Sequence, residues 1–179
     1  DNTIHTSQVT AVCEYDSPLD TLPEAPVTER DMAIGRLIAE QIPDGATVQF
    51  GIGGVPNAVG RCLEEKRDLG IHTELFTDSM ADLMERGIVT NLRKTIDRGR
   101  TVAAFAWGSQ RTYDFLRDNA AVEMRPVSYV NDPYVIGQLD HFISVNSCLE
   151  VDLLGQVCAE SIGTRHYSGS GGQVDFVRG

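Results

Sequence analysis

The chain has 179 residues, 41% hydrophobic and 23% charged, which suits one ordinary globular domain with a sizeable core. Its formal net charge of −11 repels a phosphate backbone and argues against nucleic acid as the main partner. It has no run of about 18 apolar residues and no basic-apolar leader, which argues against a membrane span and secretion and leaves the cytoplasm as the expected location. Cys13, Cys62, Cys148 and Cys158 lie far apart with no C-x-x-C pair, and the histidines are equally scattered, so neither a structural metal nor a disulfide framework is expected.

Residues 1–27 hold Pro18, Pro23, Pro26 and several acids with little helical periodicity. They read as an extended interdomain linker, with one strand predicted around Gln8 to Val12. The chain opens at Asp1 without a methionine and stops at Gly179 after an apolar stretch. It is therefore expected to be a piece of something longer, with 28–179 a domain truncated at its C-terminal end.

Thr28 and Asp31 form a capping-box pattern, and Met32, Ile34, Leu37, Ile38 and Ile42 then recur at helical spacing until Pro43 and Gly45 stop the run. Residues 46–50 read as a strand and GIGG as a turn. Pro56 reads as the first position of a helix striped by Ala58, Val59, Cys62 and Leu63. A strand from Ile71 to Phe76 precedes a helix predicted to be capped by Ser79 and to end at Gly87. A strand from Thr101, a helix around Gln110 to Asn119, VEMRPVSYV, a short helix after Pro133 and HFISVNS continue the alternation. LEVDLLGQVCAE reads as two strands joined by a tight turn at Leu154 and Gly155. Such alternation predicts an α/β domain with an open, largely parallel sheet.

Three places depart from what packing alone asks for. In Gly51 to Asn57, GIGGVPN, glycines at a strand-to-helix junction either serve a tight turn or let backbone N–H groups approach an anion or a developing oxyanion. Glu150 sits in a mostly apolar hairpin; alternation places it in solvent beside Asp152, and the other account is a carboxylate buried with a purpose. SGSGGQVDF, from Ser168, is glycine-rich and then abruptly β-like, a flexible loop or a backbone cradle.

Together with IPDGATVQFGIGGVPNAV, ELFTDSMADL, RPVSYVNDP, NSCLEVDLLGQVCAESIG and GGQVDFVRG, these segments give the chain its likeness to a known family. It resembles the C-terminal half of the acetyl-CoA hydrolase and transferase family, the class I CoA-transferases that include 4-hydroxybutyrate CoA-transferase. The resemblance runs over essentially the whole chain. It implies an open α/β sheet with helices on both faces, of the NagB/RpiA/CoA-transferase-like kind. It places the nucleophile of an (S/T)-x-L-E-x-D segment at Glu150. Arg125, Pro126, Val127, Ser128 and Tyr129 correspond to a loop that lines CoA and lends an oxyanion-hole N–H. Gly171, Gly172, Gln173, Asp175 and Phe176 match a CoA-associated segment, and Gly51, Gly53 and Gly54 are expected to border the same cleft.

The implied reaction moves CoA between an acyl-CoA and a small carboxylic acid, such as acetate or 4-hydroxybutyrate, through a glutamyl-CoA thioester. It needs neither ATP nor metal, and no cofactor beyond coenzyme A as substrate. An acyl-CoA hydrolase with the same nucleophile and a catalytically silent acyl-CoA binding module stand as alternatives. The family's full-length members carry a preceding N-terminal domain, so this stretch alone is expected to hold a partial site with little turnover. A homodimer is the expected assembly.

Overall fold

A computed structural model describes residues 4–179. Strands β1 (Thr47–Phe50), β2 (Gly70–Phe76), β3 (Thr101–Ala106), β4 (Val122–Met124) and β5 (Phe142–Val145) form one sheet in the order β4-β3-β2-β1-β5, with every neighbouring pair parallel. Parallel neighbours need long crossovers, supplied here by α2 (Gly54–Cys62), α3 (Asp78–Glu85) and α4 (Gln110–Leu116), then by the short α5 (Val127–Val130) and α6 (Pro133–Ile136). Helix α1 (Glu29–Gln41) precedes the sheet and α7 (Gln173–Arg178) follows it. Between β5 and α7 lie two antiparallel ribbons, β6 (Glu150–Val151) with β7 (Val157–Cys158), and β8 (Ser161–Ile162) with β9 (Arg165–His166). The expected α/β class, parallel sheet and two-sided helical cover are all present.

Alternation along the strands sends side chains to two cores. Val48, Phe50, Ile71, Ala103 and Val145 pack with Val59, Leu63, Met80 and Leu83 of α2 and α3. On the opposite face Val102 meets Val130, Ile136 and Phe176 from α5, α6 and α7. Full burial of each large side chain contributes roughly 1.5–3 kcal/mol. The larger cluster therefore supplies most of the apolar stabilisation.

The predicted capping box at Thr28 forms in both directions: Asp31 N–H donates to Thr28 Oγ1 at 3.2 Å, and Thr28 N–H to Asp31 Oδ2 at 2.8 Å. Other expectations are corrected. Gln8 to Val12 is not a strand; a single 3-10 turn covers Thr6–Gln8, where His5 makes its own cap. Residues 20–26 are a strap tied across the helices: Leu22 N–H donates to Gly108 O at 2.9 Å, Tyr113 Oη to Asp20 O at 2.7 Å and Asn57 Nδ2 to Ala25 O at 3.3 Å. Helix α3 is capped by Thr77, not Ser79, without a side-chain cap bond; the Thr77 hydroxyl is shared with Ser79 Oγ at 3.1 Å. Pro56 is the third residue of α2, still within the first turn where its missing N–H costs nothing. The β-like end of GGQVDFVRG is helix α7, which buries only Phe176.

Candidate active site

In a doubly wound sheet, ligands sit beyond the carboxyl ends of the strands where the strand order reverses. Here that point is β1, with β2 on one side and the returning β5 on the other. Strands β1 and β5 pair over four residues, whereas β1 and β2 pair only at Thr47↔Gly70 and Val48↔Ile71. Beyond that pairing lies a crevice of about 220 Å³, walled by Gln49 to Ile52, Glu74, Leu75, Phe105, Asn146, Ser147, Ser170 to Gln173 and Phe176.

Glu74 is the carboxylate in that crevice. It is half-buried near the end of β2 and accepts a hydrogen bond from Asn131 Nδ2 at 3.0 Å. The glycine turn before α7 presses on this pair, because a Cβ at Gly172 would overlap both the Glu74 carboxylate and the Asn131 amide. The Asn131 Oδ1 is buried without a partner among the described residues. Across the crevice, Ser144 Oγ bonds Gln49 Oε1 at 2.6 Å and accepts from Asn146 Nδ2 at 2.7 Å, which fixes the β1–β5 wall. Gly53 adopts φ 117°, a conformation closed to side-chain-bearing residues, and starts α2. The first N–H groups of a helix have no partner inside it.

The residues singled out by sequence fall into two groups. Gly51, Gly171, Gly172 and Gln173 wall the Glu74 crevice, and Gly53 borders a neighbouring cavity. Gly54 instead packs against Asp31 at the start of α1. Asp175 is half-buried in α7 outside the crevice walls. Glu150 stands exposed in β6, paired with Cys158 and outside the crevice.

Arg125 to Tyr129 also miss the crevice. Arg125 bonds Asp97 at 2.9 Å and Glu123 at 2.8 Å, and lies 4.5 Å over the Tyr129 ring. Tyr129 Oη donates to Asp97 Oδ2 at 2.8 Å. The Glu123 contact, opposed by burial and helped by the charges of Asp97 and Tyr129, holds the Arg125 guanidinium above its usual range, while burial and then Asp97 raise the Tyr129 phenol. Pro126, Val127 and Ser128 are exposed. This loop locks α5 onto the sheet and thereby sets Asn131 beneath Glu74.

Glu74 and Asn131, which the structure brings together at the crevice, were not among the residues singled out by sequence. A glutamate inside the apolar strand IHTELF was the available signal, since a buried parallel strand rarely carries one. Two positions before it, on the same face, His72 is fully buried with Nε2 2.8 Å from Val130 O. Burial pushes its imidazole down to about 4, so it is neutral near pH 7. Lys94 Nζ donates to Ile71 O at 3.0 Å and Arg100 O at 2.7 Å; burial lowers it to about 8.

The chain is thus a doubly wound α/β domain with one glutamate, an amide and glycine turns at its switch point. Residues 108–179 match the family described as the acetyl-CoA hydrolase/transferase C-terminal domain. The chain is 52% identical to the succinyl-CoA:cyclohexane-1-carboxylate CoA transferase of Geobacter metallireducens, covering 98% of this chain and 40% of that protein. It is 45% identical to the 4-hydroxybutyrate coenzyme A transferase of Clostridium kluyveri, covering 100% and 42%. The crystal structure of 4-hydroxybutyrate CoA-transferase from Porphyromonas gingivalis superposes with a TM-score of 0.86 at 42% identity, covering 98% of this chain and 41% of that one. The chain belongs to the acetyl-CoA hydrolase/transferase family. It spans about two fifths of the length of these relatives. Among the described residues no helix is long and apolar enough to cross a membrane.

Proposed function

We propose that the protein is a CoA-transferase exchanging CoA between an acyl-CoA and a small carboxylic acid, and that Glu74 is its nucleophile. The observation that carries this is the Glu74 carboxylate in the switch-point crevice, hydrogen-bonded to Asn131 and pressed by Gly172. The ionised carboxylate is itself the attacking form, so the step requires no general base. The carboxylate adds to the acyl-CoA carbonyl, and collapse of the tetrahedral oxyanion expels the CoA thiolate to leave a mixed anhydride. The thiolate then attacks the glutamyl carbonyl, giving a glutamyl-CoA thioester and the free acid. A second acid reverses the sequence.

Asn131 Nδ2 and the backbone N–H groups of Ile52 and of the Gly171–Gly172 turn, which wall or adjoin the crevice, serve as the donors for the oxyanions in this reading. Removal of one such donor typically costs about 3 kcal/mol of transition-state stabilisation. Acetate or 4-hydroxybutyrate as the second acid, a homodimer and a cytoplasmic location complete the proposal, together with a further domain of the same protein closing the crevice. Glu150 remains the competing assignment, supported by its (S/T)-x-L-E-x-D context and opposed by its exposed place in β6.

The test is to incubate the full-length protein with an acyl-CoA, trap with hydroxylamine and map the modified peptide. Modification at Glu74, its loss in Glu74→Gln with a fall in kcat of about 10³-fold or more, and its retention in Glu150→Gln are expected. Modification at Glu150 instead would overturn the assignment. CoA acceptance by added acetate selects transfer, and acid release to water alone selects the hydrolase reading.

A further inference from the structure

A second cavity at the carboxyl edge of the sheet has no part in the scheme above. It measures about 170 Å³, and its walls include Leu22, Pro23 and Ala25 of the strap, Ile52 and Gly53 of the loop after β1, and Trp107 after β3. Its roof is built into the fold, because the strap is fixed by the Leu22–Gly108, Tyr113–Asp20 and Asn57–Ala25 hydrogen bonds and by an Arg61–Glu24 ion pair at 3.0 Å.

Three features limit what fits. The volume lies below the roughly 300–1,000 Å³ of sites for drug-sized ligands, so only a small group enters. The charged groups on the wall are both acids, Glu24 and Asp78. Asp78 already accepts from Ser109 N–H at 2.9 Å, Ser109 Oγ at 2.5 Å and Thr112 Oγ1 at 2.6 Å. Burial pushes its carboxyl up, yet these bonds outweigh it and hold the group ionised below its usual value. A carboxylate entering here would lose water and find no cation on the wall, since Arg61 is already paired with Glu24 and the other wall charge is the Asp78 carboxylate. An uncharged aliphatic group loses nothing on entry. Finally, Ile52 lines both this cavity and the Glu74 crevice, and its neighbours Gly51 and Gly53 would each project a Cβ into open space. Ile52 is the side chain that partitions the two.

Resting on the acyl-transfer reading, we propose that this cavity receives the short, uncharged aliphatic tail of the acyl group presented to Glu74, with Ile52 as partition and Trp107 as end wall. The pair selects aliphatic monocarboxylates over dicarboxylates.

Trp107 is the chain's one tryptophan, so its emission reports occupancy without any turnover. Titration of the full-length protein, with any other tryptophan replaced, uses butanoate, hexanoate, hexan-1-ol and succinate as probes. Saturable blue shifts with the first three and none with succinate are expected. Ala25→Phe, which fills the cavity, abolishes the shift at an unchanged melting temperature, while Glu74→Gln keeps it. In turnover, Trp107→Leu raises kcat/KM for octanoate relative to butanoate at least about tenfold, the worth of roughly one methylene pocket. An equal response to succinate, no response to hexan-1-ol, or a response surviving in Ala25→Phe overturns the proposal. Normal labelling of Glu74 without a Trp107 response sinks the cavity alone, whereas a Trp107 response without labelling sinks acyl transfer and the tail-binding role with it.

Discussion

On one face of the sheet, β1, β2, β3 and β5 bury an aliphatic and aromatic slab under α1 to α4, including Phe76 stacked on Phe115 with centroids 6.0 Å apart. On the other, four buried apolar side chains under α5 to α7 share the space with His72, Tyr129, Asp97 and Arg125. The thick dry face stabilises the domain. The thin, polar face carries Glu74 and Asn131, where a carboxylate can be held near backbone donors without being sealed in hydrocarbon. Stability thus falls to one side of the strands and the proposed chemistry to the other.

The contrast can be broken by mutation. Phe76→Ala on the thick face is expected to cost about 3–5 kcal/mol, read as a fall in urea midpoint; a loss under 1 kcal/mol would mean that face is not the stabilising one. On the thin face, His72 makes stability depend on pH. The unfolded imidazole binds its proton near 6.5 and the folded one at about 4, so between these values the unfolded chain holds more protons. Stability falls as pH drops through that window, by on the order of 3 kcal/mol in all. His72→Gln should flatten the profile between pH 7 and 4.5, and an unflattened profile would move the dependence elsewhere. The smallest effect is expected at the edge of the thick face, where Thr28→Ala removes the exposed capping box and costs about 1 kcal/mol. A loss as large as that of Phe76→Ala would show that caps rather than packing hold α1.

Most of the fold was legible because each βα unit carries its own local signals. Thr28 and Asp31 start α1, Gly70 opens β2, and Pro133 opens α6 after the Asp132 cap. Helix α7 was misread because Val174, Phe176 and the residues between satisfy a strand's alternation in so short a run, and only the docking of Phe176 decides it. The glycine loops were legible as backbone that approaches something. Which carboxylate they approach was not, since Glu74 and Glu150 both stand between apolar neighbours in sequence. The proposed choice of Glu74 rests on strand order, which sets the end of β2 beside the β1–β5 switch point and leaves β6 on the outside. No local pattern encodes that adjacency.

The return of β5 to the free side of β1 has a consequence for biosynthesis. Glu74 and Gly172 are 98 positions apart, so a ribosome adding about 5–20 residues per second exposes the glutamate for roughly 5–20 seconds before its clamping turn is made. Throughout that interval the side chain has neither the Asn131 amide nor the Gly172 turn against it. On the proposed assignment of Glu74, reactivity toward thioesters would therefore arrive only with the completed sheet.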